Sequence, residues 1–169
     1  MLLLSQADTG QMSMMLQPVL LSQLVQDVEH SGRVLAGERV HVRASVSHDI
    51  VVQADSDRLK QVLLNLLDNA LKHTPEGGFV TIEATQVADG MARISVNDTG
   101  AGIPEADLPH VFERFYRVEK SRSREHGGSG LGLSIAQKIV QAHRGRIAVS
   151  SKLGVGTTFD VFIPGYQRA

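Results

Sequence analysis

The sequence predicts an α/β two-layer sandwich, a mixed sheet covered on one face by helices. Three observations carry it. Short alternating or apolar runs, each bounded by glycine, aspartate or proline, give strands at 40–46, 50–54, 79–85, 91–97, 146–151 and 157–163. Helical stripes occur between groups of strands rather than between every pair, which argues against a purely parallel, doubly wound sheet. The strongest stripe is at 57–75, where Leu59, Val62, Leu63, Leu66, Leu67, Ala70 and Leu71 recur at i, i+3, i+4, i+7, i+8, i+11 and i+12.

The elements follow in order. MLLLSQADTGQMSMM reads as the last turns of a helix breaking at Thr9-Gly10, then a polar connector. Residues 1–17 are therefore expected to be the end of an upstream helix with its connector, and 18–169 a single domain. Pro18 is expected to start a helix through LLSQLVQDVEH, with Leu20, Leu21, Leu24, Val25 and Val28 on one face. Two strands come next, and Asp55 stands where a side-chain cap should begin the long helix. Asp89-Gly90 marks a hairpin between FVTIEAT and MARISVN. GLSIAQKIVQAHRG is a helix with Ile135, Ala136, Ile139, Val140 and His143 inward, ended by Gly145. RIAVSS and TTFDVFI close the chain.

Composition narrows the classes. With 169 residues and 42% apolar content, the chain suffices for one domain with a proper core. A net charge of −1 gives no basic field for nucleic acid. The absence of cysteine removes disulfides and thiolate metal sites. No apolar run approaches the about 18 residues that span a bilayer. The first Lys or Arg is Arg33, so the opening lacks the charged start of a signal peptide. The 7 histidines show no HxxxH or HExxH spacing, which argues against zinc.

Four features carry chemistry. Asn65, Asn69 and Lys72 line up on a second face of the long helix. Asparagine prefers caps and turns, so two of them one turn apart fit a role: amide oxygens for a hard cation, with the lysine ammonium for a phosphate. A solvated polar stripe fits the same three residues equally well. Asp98-Thr99-Gly100-Ala101-Gly102-Ile103 puts a carboxylate at a strand end, beside backbone that can approach a flat ligand. Such a carboxylate can accept from an exocyclic amine such as that of adenine, although an isolated DxGxG is also simply a capped turn. Gly127-Gly128-Ser129-Gly130-Leu131-Gly132 opens a helix, as a phosphate site does. It follows a charged segment and reads GxGxG, which fits neither a Rossmann loop nor, without a Gly-Lys pair, a Walker A motif. Between these clusters Phe112, Phe115 and Tyr116 form an aromatic anchor for a basic loop holding Arg117, Lys120, Arg122 and Arg124, a mobile lid over a triphosphate.

In register, NLLDNALKHT, DTGAGI, FERFYR, GGSGLGLSIA and GVGTTF resemble the N, G1, F, G2 and final glycine boxes of the catalytic ATP-binding domain of two-component sensor histidine kinases, within the superfamily of gyrase, Hsp90 and MutL. The resemblance covers about residues 18–164 and implies the Bergerat fold with a flexible ATP lid. It further implies that Asn69 holds Mg²⁺ and that Asn65 supports the metal or a phosphate oxygen. Lys72 would contact phosphate and His73, often a tyrosine in the family, would flank the adenine. Asp98 would bind the adenine amine, with Gly100, Gly102 and Ile103 shaping the pocket and Thr157 supporting Asp98 through water. Phe115 and Tyr116 belong to the nucleotide-facing F box, and Gly128, Gly130, Leu131 and Gly132 would bound the phosphates. Arg117 would reach the terminal phosphate. The Mg²⁺ would keep mostly water and phosphate ligands.

The resemblance also implies a reaction. Hydrolytic relatives and anti-sigma-factor serine kinases carry glutamate where this chain has Asn65, which cannot act as a general base. Neutral imidazole offers its lone pair directly, so a histidine acceptor needs no such base. His48-Asp49-Ile50 begins like a phosphoacceptor box, but Val51-Val52-Gln53 breaks the match. The acceptor is expected on a dimerisation and phosphotransfer domain upstream of Met1, so that this chain alone lacks autophosphorylation. The implied partners are that domain, in a homodimeric parent, and a response regulator. A cytoplasmic location is implied, with membrane anchoring of the parent left open. The alternatives are a serine kinase of the anti-sigma-factor type and a non-catalytic nucleotide-binding module.

Overall fold

The computed structural model describes residues 12–118 and 129–168. The elements are β1 (Gln17–Leu20), α1 (Leu21–Ala36), β2 (His41–Val46), β3 (Val51–Ala54), α2 (Ser56–His73), β4 (Phe79–Gln86), β5 (Met91–Asp98), α3 (Gly132–Ala142), β6 (Arg146–Lys152) and β7 (Gly156–Pro164). Five strands form one mixed sheet in the order β2-β4-β5-β7-β6, and β1 pairs with β3 in a small sheet of its own. Within the large sheet β2 and β4 run parallel, because β3 and α2 intervene between them; the other pairs are antiparallel.

Alternation along the strands builds the core. Val80, Ile82 and Ala84 of β4, Ala92, Ile94 and Val96 of β5, and Phe159, Val161 and Ile163 of β7 are all buried. With a side-chain period of two, these residues share one face of the sheet. All three helices pack against strands of this sheet, and α2 also contacts both α1 and α3. All seven residues of the predicted α2 stripe are buried. The sandwich read from the sequence is the one observed.

Asp55 caps α2 as expected, its side chain accepting from the Arg58 N–H at 3.1 Å. Its other carboxylate oxygen accepts from the Met15 N–H at 3.0 Å, tying the incoming chain to the start of this helix. His143, 3% exposed, closes the same corner. Its Nε2 accepts from the Asp55 N–H at 3.0 Å and its Nδ1 lies 2.8 Å from the Ile139 carbonyl. Both contacts are satisfied together by the neutral ring protonated at Nδ1.

Two local expectations are corrected. Pro18 lies in β1, paired with Gln53, and the helix starts three residues later at Leu21. A locked φ and a missing N–H suit an edge strand as well as a first helical turn, and pairing with β3 decides between them here. The third helix ends at Ala142, and the left-handed residue beyond it is Arg144 (φ 58°) rather than Gly145. Gly145 serves close approach instead: a Cβ there would lie 2.1 Å from the Phe162 carbonyl oxygen.

Candidate nucleotide site

Four segments converge at one end of the sheet. Asn65 and Asn69 are half-buried on the face of α2 away from the stripe, and Lys72 is exposed beyond them. The Asn65 amide donates to the Gly132 carbonyl at 3.1 Å, so this face looks onto the start of α3. The asparagine helix and the second glycine cluster, far apart in sequence, thus meet at this contact. Lys72 is paired with Asp68, one turn back, at 2.7 Å. Such an exposed pair contributes little to stability, so an anion can draw the ammonium away at small cost.

Asp98 ends β5 and is 4% exposed. One carboxylate oxygen accepts from the Gly100 N–H at 2.8 Å. Burial pushes the Asp98 carboxyl above its ordinary value; the Gly100 N–H, the nearby His73 and the Thr157 N–H oppose that shift without cancelling it. The buried carboxylate accepts from the backbone N–H groups of Gly100 and Thr157, and its remaining lone pairs can accept from a further donor.

The glycines of the first cluster are there for contact. A Cβ at Gly100 would lie 2.4 Å from the His73 carbonyl oxygen, and one at Gly102 would lie 2.3 Å from the Lys152 carbonyl oxygen. Gly102 also has φ 77°, a conformation glycine adopts without strain. Behind Asp98 a hydroxyl joins the turns. Ser151 accepts from the Ile103 N–H at 2.7 Å and donates to the Gly156 carbonyl at 2.9 Å, and it lies 2.8 Å from the Thr157 hydroxyl. Since its single proton goes to Gly156, the Thr157 hydroxyl donates to Ser151.

Ser151 went unnoticed in the sequence because a serine in a strand carries no motif. Its place six residues before Thr157 is meaningful only once the β6–β7 turn is drawn. Gly156 is the tightest point of that turn, since a Cβ there would lie 1.9 Å from the Asp98 carbonyl oxygen. Gly156→Ala is expected to lower stability by roughly 3 kcal/mol or more. Urea unfolding measures this; a loss below about 1 kcal/mol would mean that the turn relaxes away from Asp98.

The aromatic segment divides differently from expectation. Phe112 meets Phe159 edge-on, with ring centroids 6.0 Å apart. Tyr116 donates to the Asp107 carboxylate and stacks on His110 with centroids 5.3 Å apart. These two are the anchor. The ring of Phe115 is 65% exposed, and only its backbone meets the site, its N–H donating to the Gly130 carbonyl at 3.0 Å. Phe115 has φ 62°, and Gly130 packs against its Cα with no room for a side chain. Arg117 is exposed beyond the anchor, and Leu131 and Gly132 are half-buried at the start of α3. Gly127 and Gly128, and the lid residues Lys120, Arg122 and Arg124, lie outside the described residues.

No group of three or more His, Asp or Glu side chains that could hold a metal ion occurs among the described residues. The asparagine amides are neutral hard-oxygen donors, which fits a cation that keeps water and brings its own phosphate ligands. No helix among the described residues is long and apolar enough to cross a membrane.

Comparison with known proteins agrees with this geometry. Residues 54–167 match the family described as histidine kinase-, DNA gyrase B-, and HSP90-like ATPase. The chain is 51% identical over 114 residues to the adaptive-response sensory kinase SasA of Synechococcus elongatus, covering 68% of this chain and 29% of that protein. It is 47% identical over 124 residues to the sensor histidine kinase WalK of Bacillus subtilis, covering 73% of this chain and 20% of that protein. The chain therefore spans about a third or less of either relative. Among solved structures, the mycobacterial sensor histidine kinase MprB superposes with a TM-score of 0.80 at 32% identity, covering 90% of this chain and 100% of that one. Full-length ShkA in complex with AMPPNP gives 0.84 at 30% identity, covering 99% of this chain and 35% of that one.

Proposed function

The chain belongs to the family of histidine kinase-, DNA gyrase B- and HSP90-like ATPases, as an ATP-binding catalytic domain of the histidine kinase type with the Bergerat fold, and on that premise we propose that it delivers the γ-phosphate of Mg·ATP to a histidine on a separate helical domain. The observation that carries this reading is the Asn65–Gly132 contact, which sets an amide, and no carboxylate, across from the start of α3. An amide can orient a phosphate or a metal-bound water, but it cannot take a proton from a hydroxyl or water nucleophile. An imidazole acceptor brings its own lone pair, so positioning and charge neutralisation suffice.

In this account Asp98 accepts from the purine amine, with a water between the ring and Thr157. Gly100, Gly102 and Ile103 form the flat wall, and His73 flanks the ring. Asn69 ligates Mg²⁺ and Asn65 lets go of Gly132 to hold the metal shell or a phosphate. Lys72 leaves Asp68 for the phosphates, which Gly128, Gly130, Leu131 and Gly132 bound from the other side. Arg117 approaches the terminal phosphate, and Phe115 and Tyr116 line the lid's base. Mg²⁺ supplies charge neutralisation of the transferring phosphoryl group.

The rest of the parent follows as part of the proposal. Residues 18–169 are the catalytic domain, and the expected end of an upstream helix, at residues 1–11, lies outside the described residues. The parent is a cytoplasmic-facing homodimer whose phosphohistidine supplies a response regulator. The test is to mix the chain with a histidine-bearing helical hairpin from a sensor kinase and γ-labelled ATP. Acid-labile, base-stable label on the hairpin is expected. Acid-stable label on serine would favour a serine kinase, and ATP binding without transfer a non-catalytic module.

A further inference from the structure

The long helix ends in a clamp that no motif announces. Arg39, in the turn between α1 and β2, donates from Nη2 to the Leu71 carbonyl at 2.6 Å and from Nη1 to the Thr74 carbonyl at 2.7 Å. The last carbonyls of a helix have no partner within it and carry the negative end of its dipole. A guanidinium, planar and always charged, satisfies both demands with one side chain. The arginine is itself held, since its carbonyl accepts from the Gly77 N–H at 2.7 Å and its N–H donates to the Ala36 carbonyl at 3.1 Å. Within the same turn the Thr74 hydroxyl donates to the Ala70 carbonyl at 2.7 Å.

The two gripped carbonyls bracket Lys72 and His73. The His73 carbonyl sits so close to Gly100 that a Cβ there would be 2.4 Å away. The final turn of α2 is therefore held by the guanidinium at Leu71 and Thr74 and abuts the Asp98–Gly102 turn at His73. We infer that Arg39 is a positioning residue for the nucleotide site, fixing the turn that carries Lys72 and His73 against the Gly100 wall. This rests on the nucleotide reading above. Arg39 touches no nucleotide in this scheme and acts only through the backbone of α2.

The experiment titrates a fluorescent ATP analogue with Mg²⁺ into the purified wild-type chain and into Arg39→Ala, Arg39→Lys and Arg33→Ala, each at a temperature where circular dichroism shows it fully folded. Arg33 serves as the control because it bonds Glu29 and the Val42 carbonyl on α1 and β2, away from the cleft. Losing two charge-assisted bonds at the turn is expected to weaken Arg39→Ala roughly tenfold. Arg39→Lys, able to remake one of them, is expected to fall only about threefold. Arg33→Ala is expected to bind like wild type. Wild-type affinity in a folded Arg39→Ala, even with a lowered melting midpoint, overturns the inference and leaves the nucleotide site standing. Should Arg39→Ala not fold, Arg39→Lys decides, and unchanged affinity there overturns it equally. A wild-type chain that does not bind overturns both readings.

Discussion

Asp98→Asn is expected to weaken Mg·ATP binding by roughly a hundredfold or more while the chain remains folded. The reason is the way its two carboxylate oxygens are used. The backbone N–H groups of Gly100, at 2.8 Å, and Thr157 bond the carboxylate, and its remaining lone pairs are left for the purine amine. An asparagine must turn its carbonyl oxygen toward Gly100 to keep that bond, and its NH₂ then faces the ring's amine. Two donors then meet at a residue that is 4% exposed to solvent. Titration with a fluorescent ATP analogue reads the effect, and affinity within threefold of wild type would place the purine elsewhere.

Stability should move differently from binding. Burial raises the Asp98 carboxyl in the folded chain, against the opposing Gly100 N–H, His73 and Thr157 N–H. A carboxylate raised on folding contributes stability that is fully present below its unfolded value and is lost as pH rises through its folded value. At neutral pH the ionised group therefore carries a cost in the chain without nucleotide. The melting midpoint of Asp98→Asn relative to wild type is expected to improve as pH rises from the ordinary carboxylate range toward neutrality. A relative midpoint that instead worsens with rising pH would mean the carboxylate stabilises the fold, and that the site is not held open for a ligand.

Asn69→Ala is expected to leave weakened nucleotide binding that no longer responds to Mg²⁺. For the wild-type chain, adding Mg²⁺ should tighten ATP by roughly tenfold or more, since even outer-shell partners of a metal are worth about 10–100-fold in affinity. With no acidic cluster among the described residues, the asparagine amide is the ligand the fold offers beside the phosphates. Asn69 is half-buried on α2 between Asn65 and Lys72, so its truncation opens no large cavity and the helix is expected to survive. Titrations with Mg²⁺ and with excess chelator separate the outcomes; a full Mg²⁺ response in the variant would remove Asn69 from the metal.

The core and the placement of the candidate site residues were legible in the sequence for different reasons. The α2 stripe was readable because a period of 3.6 over many residues leaves little choice, and all seven of its positions are buried. The strands 79–85 and 157–163 were readable because their buried positions alternate along the chain. Asp98 and the glycines were readable because only close backbone approach needs that many glycines beside one carboxylate. What escaped reading depends on contacts between distant segments. Pro18 has the same local preferences in a helix start as in an edge strand, and only pairing with Gln53 chooses. Phe115 carries an F-box aromatic, yet its positive φ turns the ring outward and leaves the backbone to meet Gly130. Ser151 and Arg39 act across 48 and up to 35 residues of sequence, and neither lies in a recognisable motif.

Crystals of the chain grown with Mg²⁺ and a non-hydrolysable ATP analogue test the central claim most directly. The expected density shows the purine amine on the Asp98 carboxylate, the metal on Asn69, and Asn65 released from Gly132. A cleft that stays closed by the Asn65–Gly132 contact at saturating nucleotide, or a purine bound away from Asp98, would contradict it.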